Sequence, residues 1–415
     1  MLLFPSQIKK AKGATVTVIL TSLFSVSALS QAAADGITWT SRTSAANNDW
    51  NSVAYGNGLF VAVSYTGTGT NRVMTSPDGI TWTSRTAASN NDWYSVTYGN
   101  GLFVAVSHTG TNNRVMTSPD GINWTSRTSA ANNQWTSVVY GNGLFVAVSQ
   151  NGSAETQVMT SPDGITWTSR TAAANNLWLS VTYGNGLFVA VSQTGVNRVM
   201  TSPDGITWTS RTAAPDNEWL SVTYGNGLFV AVSWFGTANG VMTSPDGINW
   251  TGRTSAADNW WYSVTYGNGL FVAVSWTGTG NRVMTSPDGI TWTSRTAASD
   301  NGWFSVAYGD GLFVATSTTG TGNRVMTSGV IGLAARTTAA ANAEAARVAA
   351  AAEAARKAKE QKELTEILAL IPKIGELTLS LGETTKSLYS TKCVKGKTIK
   401  YVTKGSKCPN GYLRR

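Results

Sequence analysis

Ser52-Val53-Ala54-Tyr55-Gly56-Asn57-Gly58-Leu59-Phe60-Val61-Ala62-Val63-Ser64 is followed, after a Gly/Thr/Asn stretch, by Arg72-Val73-Met74-Thr75-Ser76-Pro77-Asp78-Gly79-Ile80-Thr81-Trp82-Thr83. Residues 52–55 alternate, with Val53 and Tyr55 on one face, as a half-buried strand does. Asn57-Gly58 is a strong hairpin signal, because both residues tolerate positive φ. Residues 59–63 are continuously apolar, which predicts a strand covered on both sides. Residues 72–75 read as a third strand. Ser76-Pro77-Asp78-Gly79 then turns the chain: Pro presets φ, Asp can bond the turn backbone, and Gly supplies a positive φ. Residues 80–83 alternate again and read as a fourth strand.

This unit repeats. SVxYGNGLFVAVS, with small variations, begins at Ser52, Ser95, Ser137, Ser180, Ser221, Ser263 and Ser305. SPDGITW or SPDGINW carries its Asp at Asp78, Asp120, Asp163, Asp204, Asp246 and Asp288, and DGITW recurs at Asp35. Seven four-stranded units of about 42 residues match the blade arithmetic of a β-propeller over residues 35–328. The chain enters mid-unit, with a fourth strand at 37–41, and leaves after a third strand at 324–327. The N-terminal strand is therefore expected to complete the seventh blade and close the ring, removing unpaired edges. An open solenoid would want atypical capping repeats, and none is visible.

SPDGITW resembles the Asp-box of bacterial-neuraminidase-type (sialidase) repeats, and the copies as a whole resemble the YGNGLFVAV/SPDG repeats of secreted bacterial propeller proteins. The spacing departs from the box, since Gly79 directly follows Asp78. In that family the box is a structural turn remote from the active site. The resemblance thus implies turns at these Asp residues and no activity.

Composition divides the chain further. Residues 1–34 hold three Lys and no acid, residues 35–328 twelve Arg and fifteen acids, and residues 329–415 sixteen bases and seven acids. The body is mildly acidic, so no nucleic-acid partner is expected. The overall +9 resides in the tail. Lys9, Lys10 and Lys12, an apolar stretch from 14 to 30 and Ala32-Ala33-Ala34 read as a signal peptide, which implies a secreted or cell-surface protein; an uncleaved anchor is the alternative. Residues 329–388 read as a helical stalk: Ala-rich to 361, then Leu364, Ile367, Ile371, Ile374, Leu381 and Leu388 at coiled-coil spacing. Pro372 interrupts that seam, so a weak oligomer and a lone helix both remain open. In residues 389–415, Cys393 and Cys408 are expected to pair, since a secreted chain favours disulfides and two Cys without nearby His or acid make a poor zinc site. This end resembles the two-cysteine tails of secreted actinobacterial surface proteins. Its bases suit anionic wall polymers or lipid headgroups, with a merely solvated tail as the alternative.

Catalytic candidates are few. His108 has no nucleophile paired to it by sequence and is expected to be exposed. Arg72, Arg114, Arg198, Arg282 and Arg324, which a sialidase-like reading would gather on a carboxylate, recur in nearly every copy and read as rim pairing. The non-turn acids are scattered, whereas glycoside hydrolysis needs two carboxyls roughly 5–9.5 Å apart. No enzyme, metal or cofactor is expected.

Differences between copies concentrate in two connections, one after the second strand and one before the first. Blade topology places both on one face, opposite the unvaried turns. There Trp234, Phe235, Trp260, Tyr262, Trp276 and Phe304, with Tyr65 and Tyr94, form a candidate ligand surface. Exposed aromatics suit stacking on sugar rings or capture of a protein loop; neutral drift in tolerant loops is the alternative. The leading expectation is a non-catalytic module binding a glycan or polymer. A protein–protein scaffold or adhesin comes second, and a glycan-cleaving enzyme third.

Overall fold

The computed structural model describes residues 36–67, 71–235, 239–328, 356 and 390–415. The signal-like segment lies outside the described residues. So does the Ala-rich stretch with its seam, apart from the helical Arg356.

Blade 1 contains β2 (Trp50–Gly56), β3 (Leu59–Ser64), β4 (Val73–Ser76) and β5 (Thr83–Arg85), antiparallel and in chain order. Blades 2 to 6 repeat this order. The seventh sheet runs β26 (Trp303–Gly309), β27 (Leu312–Ser317), β28 (Val325–Ser328) and finally β1 (Trp39–Arg42). Trp39 stands opposite Ser328 and Arg42 opposite Val325, so the first strand closes the ring.

The fourth strand starts later than alternation predicts. Asp78 Oδ1 accepts hydrogen bonds from the Ile80 and Thr81 N–H groups at 2.9 and 2.8 Å, and from Ser76 Oγ at 2.9 Å. Two donors needed for a ladder are thus spent on the turn, and pairing begins at Thr83. Trp82 Nε1 closes the turn onto the Gly79 carbonyl at 3.1 Å. At Asp204, Asp246 and Asp288 these contacts hold the carboxyl below its usual range, led by the N–H three residues on.

Two rings of contacts join the blades. The first strand of each blade is an inner edge, with one row of N–H groups facing away from its partner. Ser52 Oγ accepts from the Val96 N–H at 3.1 Å, and the pattern continues round to Ser305 Oγ, which accepts from the Val53 N–H at 3.1 Å. One hydroxyl per blade satisfies an edge donor of the next. At the other end of the same strands, Tyr98 lies so close on Gly56 that a Cβ there would meet its ring at 2.1 Å, and all seven copies share this contact. The repeated Trp fills the gap between blades. Trp261, fully buried, packs with Val230, Val232 and Val241 of blade 5 and with Phe271 and Met284 of its own blade.

Beyond the propeller, β29 (Ser390–Lys395), β30 (Thr398–Thr403) and β31 (Leu413–Arg414) form a small sheet with β29 in the centre. A Cys393–Cys408 disulfide ties it, with Cα atoms 5.6 Å apart. Among the described residues no helix is long and apolar enough to cross a membrane.

Candidate recognition face

The two variable connections are hydrogen-bonded to each other in every blade. The Tyr65 N–H donates to the Asp49 carbonyl at 2.9 Å, Trp234 to Glu218 at 2.9 Å, Trp276 to Trp260 at 2.9 Å, and the other four blades match. Residues that vary between copies therefore stand side by side on one face. The position after the repeated Trp points inward. Asn51, Tyr94, Thr136, Leu179, Leu220, Tyr262 and Phe304, above the serine ring, line a mouth of about 110 Å³ on the axis.

The aromatic side chains singled out from the sequence form one connected arc. Phe235 stacks on Trp234 with centroids 5.8 Å apart, Trp234 meets Trp260 edge-on at 5.2 Å, and Trp260 stacks on Trp276 at 5.6 Å. Trp234 also contacts Tyr262 at 6.1 Å, and Tyr262 contacts Phe304 at 4.6 Å. Phe304 of blade 7 then reaches Tyr94 of blade 2 at 5.8 Å, past the small Asn51 of blade 1. Tyr94 stacks on His108 at 4.0 Å, and Tyr65 caps both rings. Phe235, Tyr65 and Trp276 are 52%, 38% and 37% exposed, while Trp234, Trp260, Tyr262, Phe304 and Tyr94 are half-buried. The arc is thus a self-packed apolar surface with three protruding rings.

His108 departs from its expected exposure. It is buried, only 7% exposed, because the Tyr94 ring covers one side and Tyr65 its edge. Its Nε2 has no hydrogen-bond partner. Burial, opposed by Asp92 and aided by Arg114, pushes its pKa down to about 4. A base whose folded pKa lies below its unfolded value is stabilised as the neutral form. Its contribution is complete above about pH 6.5 and is lost as pH falls toward 4. Stability should therefore decline across that window. His108→Gln, which installs the residue found at Gln150 and Gln193, should flatten the decline. Denaturant titrations at stepped pH check this; equal slopes in parent and variant would refute it.

The third-strand Arg residues are committed to the scaffold. Arg72 donates to the Tyr65 and Asn91 carbonyls and pairs with Asp92 at 2.8 Å, and Arg324 pairs with Asp49 at 2.8 Å. Arg114 bonds the His108 carbonyl, and Arg282 the Trp276 and Asn301 carbonyls. Each ties the loop of one blade to the connection entering the next. Gly240 occupies this position in blade 5, so the loop carrying Trp234 and Phe235 lacks such a clamp. Gly302 is a second residue that sequence reasoning passed over. It stands where Trp260 stands one blade earlier, and Trp276 lies so close that a Cβ would meet its Nε1 at 2.3 Å. Both glycines are visible as odd members when the seven copies are aligned with one another.

No carboxylate lines the axial mouth. Among the described residues, no three His, Cys, Asp or Glu are grouped to hold a metal ion.

Neither a family model nor a curated protein matches the chain. Solved structures do. A structure described as YCF48 bound to D1 peptide superposes with a TM-score of 0.53 at 16% identity, covering 74% of this chain and all of the other. The computationally designed Ika8 protein gives 0.47 at 9% identity, covering 70% of this chain and all of its own. The fold is a β-propeller. At these identities the likeness extends to the fold alone.

Proposed function

We propose that the propeller is a non-catalytic recognition module that captures a polypeptide segment bearing apolar side chains on its aromatic arc. The observation that carries this reading is a connected array of rings most of whose polar neighbours are already paired, His108 Nε2 and Trp234 Nε1 being the exceptions. Asp49 and Asp92 hold Arg324 and Arg72, Gln150 donates to Gln134, Gln193 to Glu218, and Trp276 Nε1 to Thr318 Oγ1. A sugar needs convergent hydrogen-bonding groups beside a stacking ring, whereas an apolar side chain needs mainly the ring. That ranks a peptide above the glycan expected from the aromatic residues of the variable face. The peptide carried by the YCF48 structure supports the same order. Placement outside the cytoplasm, on a cell surface or in the medium, is part of this proposal. It is supported by the signal-like N-terminus and by a disulfide in the tail.

Phe235→Ala with Trp276→Ala tests the site, because both rings protrude. Screened against random peptides displayed on phage and against a glycan array, the full chain should enrich aromatic and aliphatic peptides. The double variant should lose about 1–3 kcal/mol, roughly 5- to 150-fold in affinity. Its stability should fall by no more than about 1 kcal/mol. Selected peptides that bind parent and variant equally would sink the site. Glycan hits abolished by the variant, with no peptide enriched, would return the reading to carbohydrate.

A further inference from the structure

Beyond the propeller, the small C-terminal sheet has two unlike faces. Registered pairs in an antiparallel sheet project to the same side, and residues two apart on a strand do likewise. Cys393 pairs with Lys400 and Arg414, so the disulfide side carries these residues with Thr391. That side is packed: Cys393 and Thr391 are buried, the Gly405 N–H donates to Thr391 Oγ1, and the Lys400 ammonium sits 5.3 Å over the Tyr412 ring. On the other side Val394 pairs with Ile399 and Leu413, and Lys392 with Tyr401. Leu413, Val394 and Ile399 thus form a row across all three strands, with Tyr401 beside it.

This row is unpacked. Ile399, Tyr401 and Leu413 are 49%, 61% and 77% exposed. Lys392 stands on this side in the next row and Lys397 lies at the hairpin tip, whereas Lys395, two residues after Cys393, belongs to the disulfide side. Residues 390–415 contain eight bases and no acid. The disulfide occupies the opposite side, so it fixes the sheet without covering the row.

We propose that this face seats on an anionic lipid bilayer, the row entering the boundary between headgroups and acyl chains while the lysines contact lipid phosphates. Charge alone would suit any polyanion. The exposed apolar row selects lipid, because a phosphate polymer provides no apolar phase in which to bury it, whereas bilayer binding grows with both buried apolar area and electrostatic attraction.

The test is flotation of the full chain with phosphatidylcholine vesicles, with and without phosphatidylglycerol. Vesicles of phosphatidylcholine alone report whatever the N-terminal segment contributes. Added phosphatidylglycerol should increase binding, and salt should reverse that increase. Ile399→Ser, Tyr401→Ser and Leu413→Ser together retain every charge, and should cut the phosphatidylglycerol-dependent binding about tenfold or more. Lys392→Gln with Lys397→Gln should weaken it severalfold. Absence of free thiol in each variant verifies that the module is intact. A triple variant that floats like the parent would overturn the proposal, as would a parent indifferent to phosphatidylglycerol. Self-association of the parent that the triple variant abolishes would assign the face to a second copy instead.

Discussion

Removal of residues 35–42 should lower the melting temperature of the propeller by about 10 °C or more. The deleted strand supplies all four ladder partners on the outer side of β28, so the deletion turns a covered strand into an open edge. Trp39, 8% exposed, leaves the cluster it shares with Trp303, Phe313 and Met326. Arg42 Nε no longer reaches Thr327 Oγ1, a bond of 2.9 Å. Loss of one buried Trp costs about 3–5 kcal/mol, and the ladder adds to it. Against a total stability of about 5–15 kcal/mol, that is a large fraction. At about 2 °C per kcal/mol for a chain of this size, the shift follows. Calorimetry reads it directly, and a single transition at the parental temperature would show that the ring does not depend on its first strand.

Trp261→Ala should be nearly as damaging, by about 3–5 kcal/mol. The indole lies between blades 5 and 6 and donates Nε1 to the Ala257 carbonyl at 3.2 Å. Truncation leaves a cavity lined by residues from both blades and a carbonyl without its donor. Trp276→Ala is the matched comparison, fifteen residues along the same unit. Its ring is over a third exposed and lies across Gly302 on the surface, so its loss should cost about 1 kcal/mol or less. Urea titration of the two variants side by side separates a packing Trp from a surface one. Equal losses would mean that the aromatic arc is part of the core.

Strand count, turn chemistry and ring closure were legible because each is local and repeated seven times. Asn57-Gly58 can hardly be anything but a tight turn, and its Asn does take a positive φ of 49°. The fourth strand was misplaced by three residues because alternation at Ile80-Thr81-Trp82 imitates a strand. Only the carboxylate of Asp78, drawing off two N–H groups, reveals a turn there. The variable face could be located from topology, and its aromatic residues named. Their mutual packing could not be foreseen. Phe304 and Tyr94 belong to blades 7 and 2, and nothing in a linear string says that Asn51 is small enough to let them meet across the mouth. His108 is buried for the same reason: its neighbour Tyr65 belongs to another blade.

The strand that closes the ring also carries a hazard. All seven third strands read Val-Met-Thr-Ser, and six of the seven outer strands that pair with them read Thr-Ser-Arg. Blades 1 to 6 each find their outer strand a short turn away, at a high effective concentration. Blade 7 must wait for a segment made almost three hundred residues earlier. Until it docks, the N-terminal segment of one molecule fits the open blade of another equally well. Reciprocal donation gives a strand-exchanged pair, and unreciprocated donation, being head-to-tail, extends into longer assemblies. Crowded refolding therefore favours strand-exchanged oligomers, whereas dilution, or synthesis that lets the ring close before a neighbour arrives, favours the monomeric propeller.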